Sequence, residues 1–198
     1  MQKSTNRTRV LTGTAMLGAV AALLMYLEFP IPIMPAFIKL DVSELPALLA
    51  GFAYGPVSGI VVCLIKNLIK LPSTSTAAVG ELFNFVMGAV FVGTAGLVYK
   101  FNKSRKGAII GAAVGALVMA LVSVPYNYFI VYPAYVTFYH LPLEAIIGMY
   151  QAINPGVDGL LSCLLVLNLP FTLFKGILDA ALCFLIYKPL SPLLHGRR

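Results

Sequence analysis

FPIPIMPAFIKLDVSELPALL, residues 29–49, is the stretch from which the rest of the chain is read. Apolar runs flank it on both sides, yet it is no membrane helix itself. Pro30, Pro32 and Pro35 each remove a backbone donor and push the preceding residue toward extended geometry. Residues 37–41, FIKLD, then alternate apolar and charged side chains, the pattern of a short extended segment. Ser43 or Asp41 offers an N-cap, with Glu44 and Pro46 in the first turn of the helix that follows. The stretch therefore predicts a stiff loop of roughly fifteen residues between the first two helices. A loop of that length in a compact fold is usually functional, often a lid; a solvated connector is the plainer alternative.

Of the 198 residues, 60% are hydrophobic and 11% charged, and the mean hydropathy is +0.91. Such a chain is no ordinary soluble domain; its setting is the lipid bilayer. A formal net charge of +7 raises nucleic acid as a partner, but the distribution of charge argues against it. Lys3, Arg7 and Arg9 precede the first apolar run; Lys100, Lys103, Arg105 and Lys106 share one loop; Lys188, Arg197 and Arg198 close the chain. The positive-inside rule puts all three clusters, and so both termini, in the cytoplasm. The number of crossings between the first two clusters is then even, which makes Gly55-Pro56 a cytoplasmic turn between two short helices.

The expected fold is all-α: a single domain over 1–198 with six transmembrane helices, at about 10–28, 44–54, 57–71, 80–100, 107–131 and 168–188. The long loop between helices one and two caps the outer end. A cleaved signal peptide ending near Ala21 is disfavoured, because the apolar run continues past that point. Residues 132–167 read as irregular, broken by Pro133, Pro142 and Pro155. A short surface helix is expected at 143–153 and a short helix or re-entrant piece at 159–167. Cys63, Cys163 and Cys183 are odd in number, lack metal-ligand spacing and read as small core residues.

Polar residues inside spans are expensive in lipid, which makes them functional candidates. Lys66 and Asn67 fall toward the outer end of helix three, Glu81 and Asn84 toward that of helix four, and Asn127 toward that of helix five. Lys175 lies about two turns into helix six, with Asp179 a turn deeper. The inner half is almost purely apolar, so the pattern describes a pocket open to the outside and not a channel. Snorkelling lysines and interhelical asparagine hydrogen bonds are the plainer readings. Asparagine matches the imide or amide edge of a heterocycle. Phe37, Tyr126, Tyr128 and Phe171 offer flat apolar faces, and Lys39 and Asp41 reach from the loop toward hydroxyls or phosphate. The physical reading ends at a flat, polar-edged small molecule bound from outside. No phosphate loop, nucleophile–base pair or metal constellation is present, so neither ATP hydrolysis nor any enzyme activity is expected. Ala15, Gly18, Ala19 and Ala22 form a small-residue stripe on helix one that lets another helix approach closely. Ordinary internal packing is the alternative for that stripe.

Six segments recur in a telling order: residues 37–48, Tyr54-Gly-Pro, Lys66-Asn67-Leu, Gly80-Glu-Leu-Phe-Asn84-Phe, Asn127-Tyr-Phe and Pro170-Phe-Thr-Leu-Phe-Lys175-Gly. Together they resemble the riboflavin-binding substrate-specificity subunits of the energy-coupling factor vitamin importers, over nearly the whole chain. The resemblance implies a multi-pass protein of a prokaryotic cell membrane whose first external loop caps an outward pocket. Riboflavin would be its transported ligand, not a cofactor. Partners would be a membrane coupling subunit, met by Ala15 and Ala19, and two ATPase subunits. By the same resemblance Lys175 and Asn127 hydrogen-bond the isoalloxazine edge, and Phe37, Lys39, Glu81, Asn84 and Thr172 complete the site. Phe37 stands where relatives can have Tyr, Lys39 where some have Thr, and Thr172 where some use Asn. The competing reading is a solitary facilitator or secondary transporter for a flavin-like or other small heterocyclic vitamin.

Overall fold

Helix α1 (Gln2–Tyr26) opens the chain in the computed structural model, which describes residues 2–138 and 140–195. Arg197 and Arg198, the end of the third basic cluster, lie outside the described residues. After α1 the chain makes a small hairpin: β1 (Phe29–Pro30) pairs antiparallel with β2 (Lys39–Leu40), Phe29 opposite Leu40 and Pro30 opposite Lys39. Helices α2 (Glu44–Tyr54) and α3 (Pro56–Lys70) follow, separated by Gly55 alone. Gly55 has φ +106°, a conformation that L side chains resist, and Pro56 starts α3 where a missing N–H costs nothing. Helix α4 (Val79–Phe101) and α5 (Arg105–Tyr126) meet at a tight turn in which Ser104 Oγ caps α5, accepting from the Gly107 N–H at 3.0 Å.

Among the described residues, five helical segments are long and apolar enough to cross a membrane: Arg7–Tyr26, Pro56–Ser73, Val79–Phe101, Arg105–Phe138 and Leu160–Tyr187. Helix α2 is different. It has 11 residues, nine of them buried, and at 1.5 Å per residue it is only about 16 Å long. It is wedged among its neighbours as an internal helix.

Residues 132–167, expected to be irregular, are mostly helical. Helix α5 runs through a π turn (Asn127–Val131) into α6 (Tyr132–Phe138), and α7 (Leu143–Gln151) stands apart. Helix α8 (Leu160–Cys163) runs through a second π turn (Leu164–Asn168) into α9 (Leu169–His195). The last span thus begins at Leu160, and the piece expected to be separate is its first part. Proline accounts for both bulges. A helical proline lacks its N–H, and its ring collides with the carbonyl four residues back. For Pro133 and Pro170 those carbonyls belong to Phe129 and Val166, each inside a π turn. Widening the turn moves the carbonyl aside, so the helix bulges instead of stopping.

The half of the bundle away from the hairpin is closed by backbone contact. A Cβ added at Gly111 would sit 2.7 Å from the Ala95 carbonyl oxygen, and one at Gly115 2.6 Å from that of Phe91. Small residues here let α4 and α5 touch, the usual way helices associate in lipid. Leu48, Val62, Cys63, Phe91, Val92 and Ala95 fill the middle with no exposed surface. The three cysteines are free and buried.

Candidate ligand-binding site

The hairpin segment packs over the end of the bundle where the prolines direct it. Turns closed by Met34 N–H to Ile31 O (3.1 Å) and Ile38 N–H to Pro35 O (2.8 Å) fold it back on itself. Its base is tied down by Glu28, which accepts from Lys39 at 2.8 Å and from Lys70 at 3.1 Å. Lys70 in turn lies 4.3 Å over the Tyr26 ring. At its tip Phe37 enters a tyrosine cluster edge-on, with ring centroids 5.8 Å from Tyr135 and 6.5 Å from both Tyr132 and Tyr150.

Beneath the segment lies a cavity with an empty volume of about 1040 Å3 including its mouth. Its walls come from the hairpin segment, the start of α4, the two π turns and the start of α9. Phe37, Lys39, Glu81, Asn84, Asn127, Thr172 and Lys175, the seven residues expected at a site, all line it. Glu81 is anchored by hydroxyls, Oε2 accepting from Thr74 at 2.7 Å and Thr76 at 3.2 Å. Asn84 Oδ1 accepts from Asn67 Nδ2 at 3.3 Å, and Asn67 also donates to the Cys63 carbonyl. Asn127 is buried, yet its Nδ2 has no hydrogen-bond partner. Such orphans are rare in folded proteins, and this one belongs to a residue that lines the cavity, where a bound molecule can meet it.

A charge cluster forms the cavity floor. Lys175 lies 2.8 Å from Asp41 Oδ2 and 3.1 Å from Glu44 Oε2. Lys66, fully buried, gives 2.6 Å to Glu44 Oε1 and 2.5 Å to Ser43 Oγ. The other oxygen of Asp41 accepts from the Ser43 N–H at 2.9 Å and from the Ser43 hydroxyl. Burial pushes the Asp41 carboxyl up, but the Lys175 and Lys66 ammonium groups outweigh it and hold it well below the usual carboxylate range.

Several expectations change. Neither Ser43 nor Asp41 caps α2: Ser43 is already in helical geometry with no side-chain capping bond, and Asp41 is spent on Lys175 and Ser43. Lys66 does not snorkel; it is the internal partner of Glu44. Phe171 lines the cavity, but Tyr128 turns outward, 40% exposed, and Tyr126 packs on Phe83 at 6.0 Å. The π turn is the reason, since it leaves Asn127 and Val131 inside and residues 128–130 outside. The stripe on α1 divides along its length: Gly18 and Ala22 on one flank are buried, a Cβ on Gly18 meeting Ile65, while Ala15 and Ala19 on the adjoining flank are exposed.

Sequence reasoning missed Tyr132, Tyr135 and Asn168, which also line the cavity. Asn168 Oδ1 accepts from Tyr150 at 2.5 Å, its Nδ2 donates to Tyr132 at 3.3 Å, and the two tyrosine hydroxyls bond to each other. Burial pushes the Tyr150 phenol far up, so it remains a donor. The available signal was Asn168 placed before Leu169-Pro170, an amide next to a helix disruption.

These features define a helical membrane protein with a cavity at one end, its largely apolar wall set with a few polar and charged groups, roofed by the segment joining its first two helices. The chain belongs to the family of substrate-specific components of ECF transporters, whose model matches residues 9–187. It is thus a transporter component, not an enzyme. It is 36% identical over 177 residues to riboflavin transporter RibU of Staphylococcus aureus (strain TCH60), covering 89% of this chain and 87% of that protein. Riboflavin transporter FmnP of Bacillus subtilis (strain 168) is 31% identical over 195 residues, 97% of each chain. A solved structure of the S component of a bacterial ECF transporter superposes with a TM-score of 0.76 at 34% identity, covering 97% of this chain and 99% of that one.

Proposed function

We propose that the protein is the riboflavin-capturing subunit of an ATP-driven ECF vitamin importer in a prokaryotic cell membrane. The observation that carries this reading is the convergence of Phe37, Lys39, Glu81, Asn84, Asn127, Thr172 and Lys175 on one cavity, in a chain similar to two riboflavin transporters. In this reading Asn127 and Lys175 hydrogen-bond the polar edge of the isoalloxazine ring, and Phe37 and the tyrosines cover its face. Lys39, Glu81 and Asn84 meet the ribityl hydroxyls from the mouth side, and Thr172 supplies a further hydroxyl. Riboflavin is the cargo and undergoes no chemistry.

The short α2 counts as a crossing together with the five long segments, giving six, with both termini cytoplasmic and the cavity facing outward. The hairpin segment is the lid. The exposed Ala15–Ala19 face of α1 meets a membrane coupling subunit, which works with two ATPase subunits. The test is direct: protein purified from riboflavin-replete cells carries a yellow flavin spectrum, and the flavin-free protein quenches riboflavin fluorescence at a one-to-one ratio. Colourless protein that leaves the fluorescence unchanged overturns the reading. Riboflavin uptake by the lone chain in liposomes without ATPases would instead make it a solitary transporter.

A further inference from the structure

The cluster on the cavity floor gives Lys175 more carboxylates than it can use at once. Asp41 and Glu44 hold it at 2.8 and 3.1 Å. Asp179 stands one helical turn further along α9, on the same face, with both carboxylate oxygens buried and without a hydrogen-bond partner. Lys66 faces the same group from α3 but is committed to Glu44 and Ser43. Lys175 sits in an upper seat at the cavity between Asp41 and Glu44, and Asp179, one turn deeper, is an unfilled carboxylate on its own helix face. Asp41 differs from the other carboxylates in where it is mounted. It belongs to the hairpin segment, 134 residues from Lys175 in sequence, and its second oxygen is fixed by Ser43.

We propose that Asp41 is the positioning residue for Lys175: its ion pair keeps the lysine in the upper seat and, through the same bond, latches the hairpin segment to α9. The assignment rests on the flavin-site reading above, in which Lys175 contacts the ligand. Lid closure and lysine placement are then one event. When the segment lifts, Asp41 leaves, Lys175 keeps only Glu44 of its two upper carboxylates and is drawn toward Asp179, and the ligand loses its roof and a hydrogen bond together. Asp41 need not touch the ligand to govern its escape.

The experiment measures riboflavin dissociation by stopped-flow fluorescence from full-length protein in detergent, for wild type, Asp41→Asn, Lys175→Met, the double variant and Asp41→Asn/Asp179→Asn. Asp41→Asn should speed release about tenfold. In the Lys175→Met background the same change should add less than about twofold, because the residue it acts through is gone. Removing the lower carboxylate with Asp179→Asn should restore to Asp41→Asn part of the slow release, the share owed to lysine placement and not to the lost latch, a rescue that a merely structural role would not produce. Wild-type release from Asp41→Asn beside fast release from Lys175→Met overturns the proposal and leaves the flavin site standing. A full effect of Asp41→Asn in the Lys175→Met background also overturns it. Should wild type bind no riboflavin, the site reading fails and the latch is judged by hydrogen exchange of amides 36–43. Asp41→Asn and Lys175→Met must then accelerate exchange equally and without adding, and unchanged exchange overturns the latch as well.

Discussion

Asn127 carries the clearest residue-level signal, because a buried amide donor with no partner is a cost the fold bears without return until something accepts from it. Asn127→Ala should weaken riboflavin binding by about 1–3 kcal/mol, roughly tenfold or more in Kd, with little effect on thermal unfolding. Fluorescence titration checks this, and wild-type Kd values in both Asn127→Ala and Lys175→Ala would move the ligand elsewhere. Lys66 should behave in the opposite way. It is fully buried and lies 2.6 Å from Glu44, so Lys66→Met leaves a carboxylate with less compensation in an apolar setting. Breaking such a pair costs about 3–5 kcal/mol, and a large fall in the detergent unfolding midpoint is the expected result. A midpoint within a degree of wild type would mean that Glu44 finds another partner.

At the scale of elements, the hairpin segment and the paired π turns do different work. The segment closes the mouth, and Phe37 is its plug, edge-on to three tyrosines. Phe37→Ala removes aromatic contacts worth roughly 0.5–1.5 kcal/mol beyond area burial. Release of riboflavin should quicken while association barely changes, as is usual when a lid governs escape. Equal dissociation rates would reduce the segment to a connector. The three prolines at 30, 32 and 35, and the Gly55-Pro56 break, were readable from sequence because a turn's chemistry is local. The π turns were not. Pro133 looks like a helix break and Pro170 like the first turn of a new helix, and only the surrounding tertiary packing turns each boundary into a bulge. That one misreading hid Tyr132, Tyr135 and Asn168, and it mistook Tyr128 for a wall of the site. Asp41 was legible as a functional charge near the mouth, but its partner, 134 residues away, was not.

Across the whole molecule, the two flanks of the small-residue stripe on α1 separate two tasks. Gly18 and Ala22 pack inward, while Ala15 and Ala19 face out, far from the cavity walls. Ala15→Trp and Ala19→Trp should therefore bind riboflavin like wild type when isolated. They should fail to copurify with the coupling subunit, because bulk there prevents close helix approach. Loss of riboflavin binding in the isolated variants would mean that this face packs internally after all. The glycine seams of α4 and α5 carry a different consequence. Since those backbones touch, and Leu48, Val62, Cys63, Phe91, Val92 and Ala95 fill the middle with no exposed surface, the cavity is a blind well. Opening the roof alone admits water at that end of the well only, so this motion forms no conducting path for ions. A planar bilayer holding this protein should keep the resistance of bare lipid with the roof open or shut, and the cell's ion gradients are indifferent to how often the well is filled.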